Sequence, residues 1–153
     1  EPDIIATTSG AECPYFGTTI LDRVLHIYVR RIFQFLESCG ILFLQDLWFY
    51  VTHIMFHHVP YLYQFHKIHH SAYSPVFAWL AHPVDHLVVN LGSFAVAFMT
   101  FGNPYWVFVL LSVLESWSSV SGHDEGTPHH IHHKGSSQRY GSIYLFDRLF
   151  GSY

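Results

Sequence analysis

Charge is scarcest in this chain. Asp, Glu, Lys and Arg supply 12% of its 153 residues, about half of the roughly 25% usual in soluble domains. That deficit argues against an ordinary water-facing surface. There is no basic stretch, which argues against a nucleic-acid partner; the formal charge of −4 counts all 14 histidines as neutral. Cysteine is nearly missing. Cys13 and Cys39 stand alone, without C-x-x-C spacing, so neither a disulfide framework nor a thiolate metal knuckle is expected, and a reduced, cytosol-facing environment is compatible. The opening EPDIIATTSG is polar and acidic, with no charged n-region or apolar h-region of a signal peptide. No initiator Met is present, as expected of a piece of a longer protein. No internal repeat is found.

What is abundant is apolar and aromatic. Half of the residues are hydrophobic, with 14 Phe, 10 Tyr and 4 Trp, and the mean hydropathy is +0.23. Length fits one domain, and the composition points to a membrane-embedded, all-α protein. Residues 1–18 read as an irregular lead-in and 19–153 as a membrane domain. Leu21, Val24, Leu25, Tyr28, Ile32 and Phe35 recur at three- and four-residue steps, which predicts a helix over 19–38. Arg30 and Arg31 at its middle favour an interfacial position, and Gly40 is expected to break it. A second helix is predicted over 41–58, ended by Pro60, and a short one over 61–70. Residues 84–121 read as a transmembrane hairpin whose arms approach the ~20 residues of a span, with Asn103 and Pro104 starting the second arm. Thr127 and Pro128 likewise open a helix that ends at Gly135.

The histidines concentrate in three clusters: H53-IMF-H57, H66-KI-H69-H70 and H129-HI-H132-H133. On a helix, residues at i, i+3 and i+4 share a face, so each cluster can aim its imidazoles at one place. Two antiparallel spans return the chain to the side it left, so the clusters flanking the hairpin emerge on one membrane face. His53, His57, His66, His69, His70, His129, His132 and His133, with His123 six residues ahead of the third cluster, are too many for one ion. They predict a two-metal site with open positions. His58 and His130 point about 100° away and are expected to be hydrogen-bonding neighbours. Asp46, seven residues before His53, and Asp85 and Asp124, each near a histidine, are candidates for orienting the rings. His82 is open between ligand, orienting and substrate-facing roles. Glu115, ionisable within an apolar arm, is a functional candidate by default. Iron in so nitrogen-rich a site could activate O2.

These residues resemble the fatty acid hydroxylase/sterol desaturase superfamily of membrane di-iron oxidoreductases. The likeness covers about 41–153. DLWFYVTHIMFHHVPYLYQFHKIHH is similar to the superfamily's first two histidine boxes, LAHPVDHLVVNLGS to a segment of the C-4 methylsterol oxidases, and YGSIYLFDRLFGSY to the family's closing signature. A histidine of the methylsterol pattern is replaced here by Val120, and His123 stands three residues later. The resemblance implies two irons on the nine histidines named above. It implies O2 as oxidant and electrons from NAD(P)H through cytochrome b5 or a similar carrier. It also implies the endoplasmic reticulum membrane, with the metal site facing the cytosol, and a lipid substrate, best a 4-methylsterol oxidised at an unactivated C–H bond. Sterol C-5 desaturation and fatty acyl or sphingolipid hydroxylation are the alternatives within that class. A non-catalytic membrane metal-binding or transport protein is the alternative outside it.

Overall fold

The computed structural model describes residues 19–72, 74–101, 105–135 and 137–153, all helix, turn or loop with no strand among them. The chain divides into two compact units, Glu1–Phe35 and Leu36–Tyr153. The described part of the first is helical. It starts with a capping box in which the Thr19 hydroxyl accepts the Asp22 N–H (3.1 Å) and the Asp22 carboxylate accepts the Thr19 N–H (2.9 Å). Its apolar side chains, among them Leu21, Leu25 and Phe35, are exposed.

Helix α1 runs unbroken from Ile20 to His58. Gly40 therefore does not divide two helices. It lies inside one, and a Cβ there would collide with the ring of Phe101. The glycine serves close helix packing, against the ~1 kcal/mol that glycine costs in a helix interior. Pro60 does end α1 as expected, and it opens α2, Pro60–His66. The predicted helix over 61–70 stops early: Lys67 and Ile68 form a turn, and His69–Ser71 a 3-10 turn.

The hairpin forms. Its first arm is α3, Pro83–Phe101, and its second is α4, Tyr105–Gly122. The expected caps at Asn103 and Pro104 lie outside the described residues. Among the described residues two helices are long and apolar enough to cross a membrane, α1 and α3. The second arm does not join them: Glu115 and the serines at 112, 116, 118, 119 and 121 dilute its apolar face. Within α3, His86–Leu91 widens into a π-helix, a geometry that frees backbone groups and recurs at functional sites. One such group is used at once, as the Trp48 indole N–H donates to the Val88 carbonyl at 2.8 Å.

Two small cores hold the second unit together. Ile41, Ala97 and Val107 join α1, α3 and α4, with Leu44, Phe98, Phe101 and Leu111 around them. Tyr50, Tyr140 and Phe146 pack the closing segment onto α1. Thr127 and Pro128 start α5, Pro128–His133, as the sequence predicts. The Thr127 hydroxyl accepts the His130 N–H, and Gly135 leaves the helix at φ +103°. Leu145–Phe150 forms α6.

Candidate metal centre

The nine clustered histidines meet at the end of the hairpin where α3 begins and α4 stops. They form two sets, each with its ligand atoms within 4.8 Å of one another. The first holds His53, His57, His66, His70 and His132; the second holds His69, His123, His129 and His133. The sets do not follow the sequence clusters. Pairs at i and i+4 stay together (53/57, 66/70, 129/133), while the residue between crosses over. His69 leaves its cluster for the second set, and His132 leaves its own for the first. For His69 the cause is local: α2 has ended at His66, and the 3-10 turn swings the intervening ring away. On α5, an i+3 residue lies about 60° around the helix from its i partner, enough to face the other set. His70 and His133 stack at 4.3 Å between ring centres, joining the two sets.

The hydrogen bonds settle which nitrogen is free. His53 Nδ1–H donates to the Tyr140 carbonyl (2.6 Å), and His132 Nδ1–H to the Gln138 carbonyl (2.7 Å). His69 donates to the Leu80 carbonyl (3.1 Å) and His123 to the Ser119 carbonyl (2.7 Å). His66 Nδ1–H donates to the Asp85 carboxylate at 3.0 Å. A carbonyl only accepts, so the Nδ1 of these rings bears the proton, and in the neutral ring Nε2 is a bare lone pair. The Nε2 atoms of His53 and His132 nevertheless stand 3.2 Å apart, and those of His53 and His66 3.1 Å apart. In the neutral rings there is no proton to share between them. In the second set, the Nε2 atoms of His69 and His129 each stand 3.1 Å from that of His133. His123 Nε2 is buried with no hydrogen-bond partner among the described residues.

Converging lone pairs repel unless a cation lies between them. The spacing fits one, since nitrogens at ~2.1 Å from an ion and at right angles to each other lie about 3.0 Å apart. Five nitrogens exceed a tetrahedral zinc site, and the all-imidazole donor set suits iron, zinc, copper or nickel. Burial strengthens the neutral form. It pushes His69 down to about 4 and His133 down to about 2, with neighbouring imidazoles adding to the effect, and it lowers His70, His123 and His129 as well.

The candidates for orienting the rings divide. Asp85 is buried and bonded to His66. Asp46 is fully buried, but among the described residues no histidine hydrogen-bonds to it. It accepts the backbone N–H groups of Ile143 (2.9 Å), Leu145 (3.0 Å) and Phe146 (3.3 Å) and so fastens the closing segment to α1. Asp124 is exposed; its carbonyl accepts the Thr127 hydroxyl. His82 caps α3, accepting the Val84 N–H at 3.2 Å, and packs on Phe65. His58 is exposed with its Nε2 3.5 Å from the Tyr140 hydroxyl, and His130 is buried beside the His123 carbonyl. Both lie outside the two sets.

One residue escaped the sequence analysis. Asp147 is fully buried and accepts the N–H groups of Tyr140 (2.8 Å) and Gly141 (2.6 Å) and the Ser152 hydroxyl (2.8 Å). It thereby holds the Tyr140 carbonyl that receives His53. Gly141 threads between the carboxylates of Asp46 and Asp147, where a Cβ would come within 2.7–2.9 Å of each. The signals for Asp147 were an aspartate set among the apolar residues of YLFDRLF and the likeness of that segment to the family's closing signature, and neither showed which groups it holds.

A cavity of about 230 Å³ borders the second set through His69 and His129. The family-level match to "Fatty acid hydroxylase" covers residues 38–152. The chain belongs to the fatty acid hydroxylase family. It is 28% identical to methylsterol monooxygenase 1 of Rattus norvegicus over 141 residues, which are 80% of this chain and 48% of that protein. It is 32% identical to the cholesterol 25-hydroxylase-like protein of Danio rerio, over 84% of this chain and 64% of that one. With fatty acid hydroxylase domain-containing protein 2 of Homo sapiens the identity is 28%, over 76% of this chain and 38% of that one. The chain thus spans about half the length of the methylsterol monooxygenases it matches. No solved structure matches it.

Proposed function

We propose that this chain carries the catalytic centre of a membrane-bound, O2-dependent di-iron oxidoreductase that oxidises a C–H bond of a sterol, with a 4-methylsterol as the preferred substrate. The observation that carries the reading is the double set of converging imidazole nitrogens, proton-free at Nε2 in His53, His66 and His132 of one set and in His69 and His123 of the other. His53, His57, His66, His70 and His132 would hold one iron, and His69, His123, His129 and His133 the other. Bound there, the irons would supply the activation of O2 that an unactivated C–H bond requires.

The chain's own residues supply orientation and shelter. Asp85 and the carbonyls of Tyr140, Gln138, Leu80 and Ser119 fix the ring tautomers, as hydrogen bonds behind metal ligands generally do. The first set would hold its ion with five nitrogens and the second with four. The cavity touches the second set, so O2 and the lipid carbon would approach from that side. Electrons would come from NAD(P)H through cytochrome b5 or a similar carrier, in the endoplasmic reticulum membrane with the metal site facing the cytosol.

The methylsterol monooxygenases among the relatives support the 4-methyl substrate. The cholesterol 25-hydroxylase-like relative favours a second reading, hydroxylation of a sterol at another carbon. Lipid profiling of cells lacking the protein tests both. Accumulated 4-methylsterols support the first reading; unchanged 4-methylsterols with loss of a hydroxylated sterol support the second.

A further inference from the structure

A second cavity, of about 180 Å³, lies between α3 and α4, with Leu91, Phe94 and Phe108 in its wall. Ser112 and Ser116 line its α4 side. Three polar residues, Asn90, Glu115 and Ser119, belong to the walls of both this cavity and the one beside His69 and His129. The two spaces are therefore neighbours across a polar collar.

The collar is built from unusual backbone and an unusual side chain. Asn90 sits in the π-helical stretch of α3. Among the described residues no side-chain hydrogen bond engages its amide; its carbonyl accepts the Ser93 hydroxyl. Glu115 accepts a hydrogen bond from the Gln45 amide at 3.2 Å. A simple tie between α1 and α4 would satisfy Gln45, yet its Oε1 is buried with no partner among the described residues. A carboxyl and a free amide facing apolar space are costly to maintain for packing alone. Glu115, Ser119 and His123 follow each other at i+4 steps, so they share one side of the chain's path. The Ser119 carbonyl holds His123 Nδ1–H at 2.7 Å. Glu115 is thus two turns, about 12 Å along the axis, from a histidine of the second set.

We propose that Asn90, Glu115 and Ser119 form a collar that reads a hydroxyl group on the lipid, with the apolar body of that lipid held between α3 and α4. Glu115 accepts the lipid O–H, and the Asn90 amide donates to its oxygen. The hydroxyl then fixes which carbon reaches His69 and His129. This rests on the lipid-oxidising reading above and adds the chemical feature by which the lipid is chosen.

The test is direct binding by the purified full-length protein in nanodiscs, read by displacement of a fluorescent lipid and independent of turnover. Two probe pairs are used: a 4-methylsterol with its 3-deoxy analogue, and hexadecanol with hexadecane. The hydroxylated member of at least one pair should bind about 10–100-fold tighter. Glu115→Leu should erase that preference while leaving the deoxy member unchanged. Glu115→Gln, which keeps a partner for Gln45, should lose several-fold of the preference; it decides the matter alone if the leucine variant does not fold. Equal binding within both pairs, or equal loss of both members in the variants, overturns the collar. A preference confined to the hexadecanol pair keeps the collar and removes the sterol from the proposed function.

Discussion

The two histidine sets are built from the same kind of ligand atom but in different surroundings. The five-membered set is sealed from the cavity of about 230 Å³, since none of its rings lines it, although His57 and His70 are only half-buried. Its rings are held by the closing segment and by Asp85, both anchored elsewhere in the fold. The four-membered set borders the cavity at His69 and His129 and is held by the Leu80 carbonyl and by α4 itself. The sets differ in access to the cavity and not in burial, since His123 and His133 are buried as His53 and His66 are. The difference follows from a crossover of two residues, since His69 and His132 exchanged back would make two sets that follow the sequence clusters.

Breaking either crossover residue should have the largest effect. His132→Ala or His69→Ala is expected to bring iron below two per chain and activity to background, measured by elemental analysis and O2 uptake. Next comes the support of the sealed set. Asp85→Ala frees His66 to rotate and should cost about 10–100-fold in metal affinity or activity, seen by titrating metal into the apoprotein. Asp147→Ala strips the N–H groups of Tyr140 and Gly141 of their acceptor, at about 3 kcal/mol, and should lower the thermal unfolding midpoint. Its damage should fall on the sealed set, through His53, more than on the open one. The smallest effect is expected at His58→Ala. His58 is exposed and outside both sets, so stability should stay within about 0.5 kcal/mol and both irons should remain. Loss equal to that of His132→Ala would show that the division into sets is misdrawn.

The gathering of the rings was legible in part because helix periodicity places i and i+4 rings together, and His53/His57 and His129/His133 obey it, while His70 stays beside His66 although α2 has ended. The crossover was not legible. It depends on α2 ending at His66 and on where α5 points, and neither follows from spacing alone. Gly40 misled because glycine marks helix ends and close packing alike, and only the ring of Phe101 distinguishes them. Asp46 was expected beside a histidine from its place on the α1 face. That face also receives the closing segment, a contact nearly a hundred residues away along the chain that periodicity does not reveal. Asp147 was hidden for another reason: its partners at Tyr140 and Gly141 are nearby backbone N–H groups, which leave no side-chain pattern to read. In α4, the recurrent serines and Glu115 were visible in the sequence, yet their consequence for apolarity emerged only beside the more apolar α3.

The most direct test is the metal content of the purified, intact protein. Two irons per chain, falling to one in His69→Ala with the remaining ion still bound by the sealed set, is the predicted result. A single tetrahedral zinc in the native protein would contradict it.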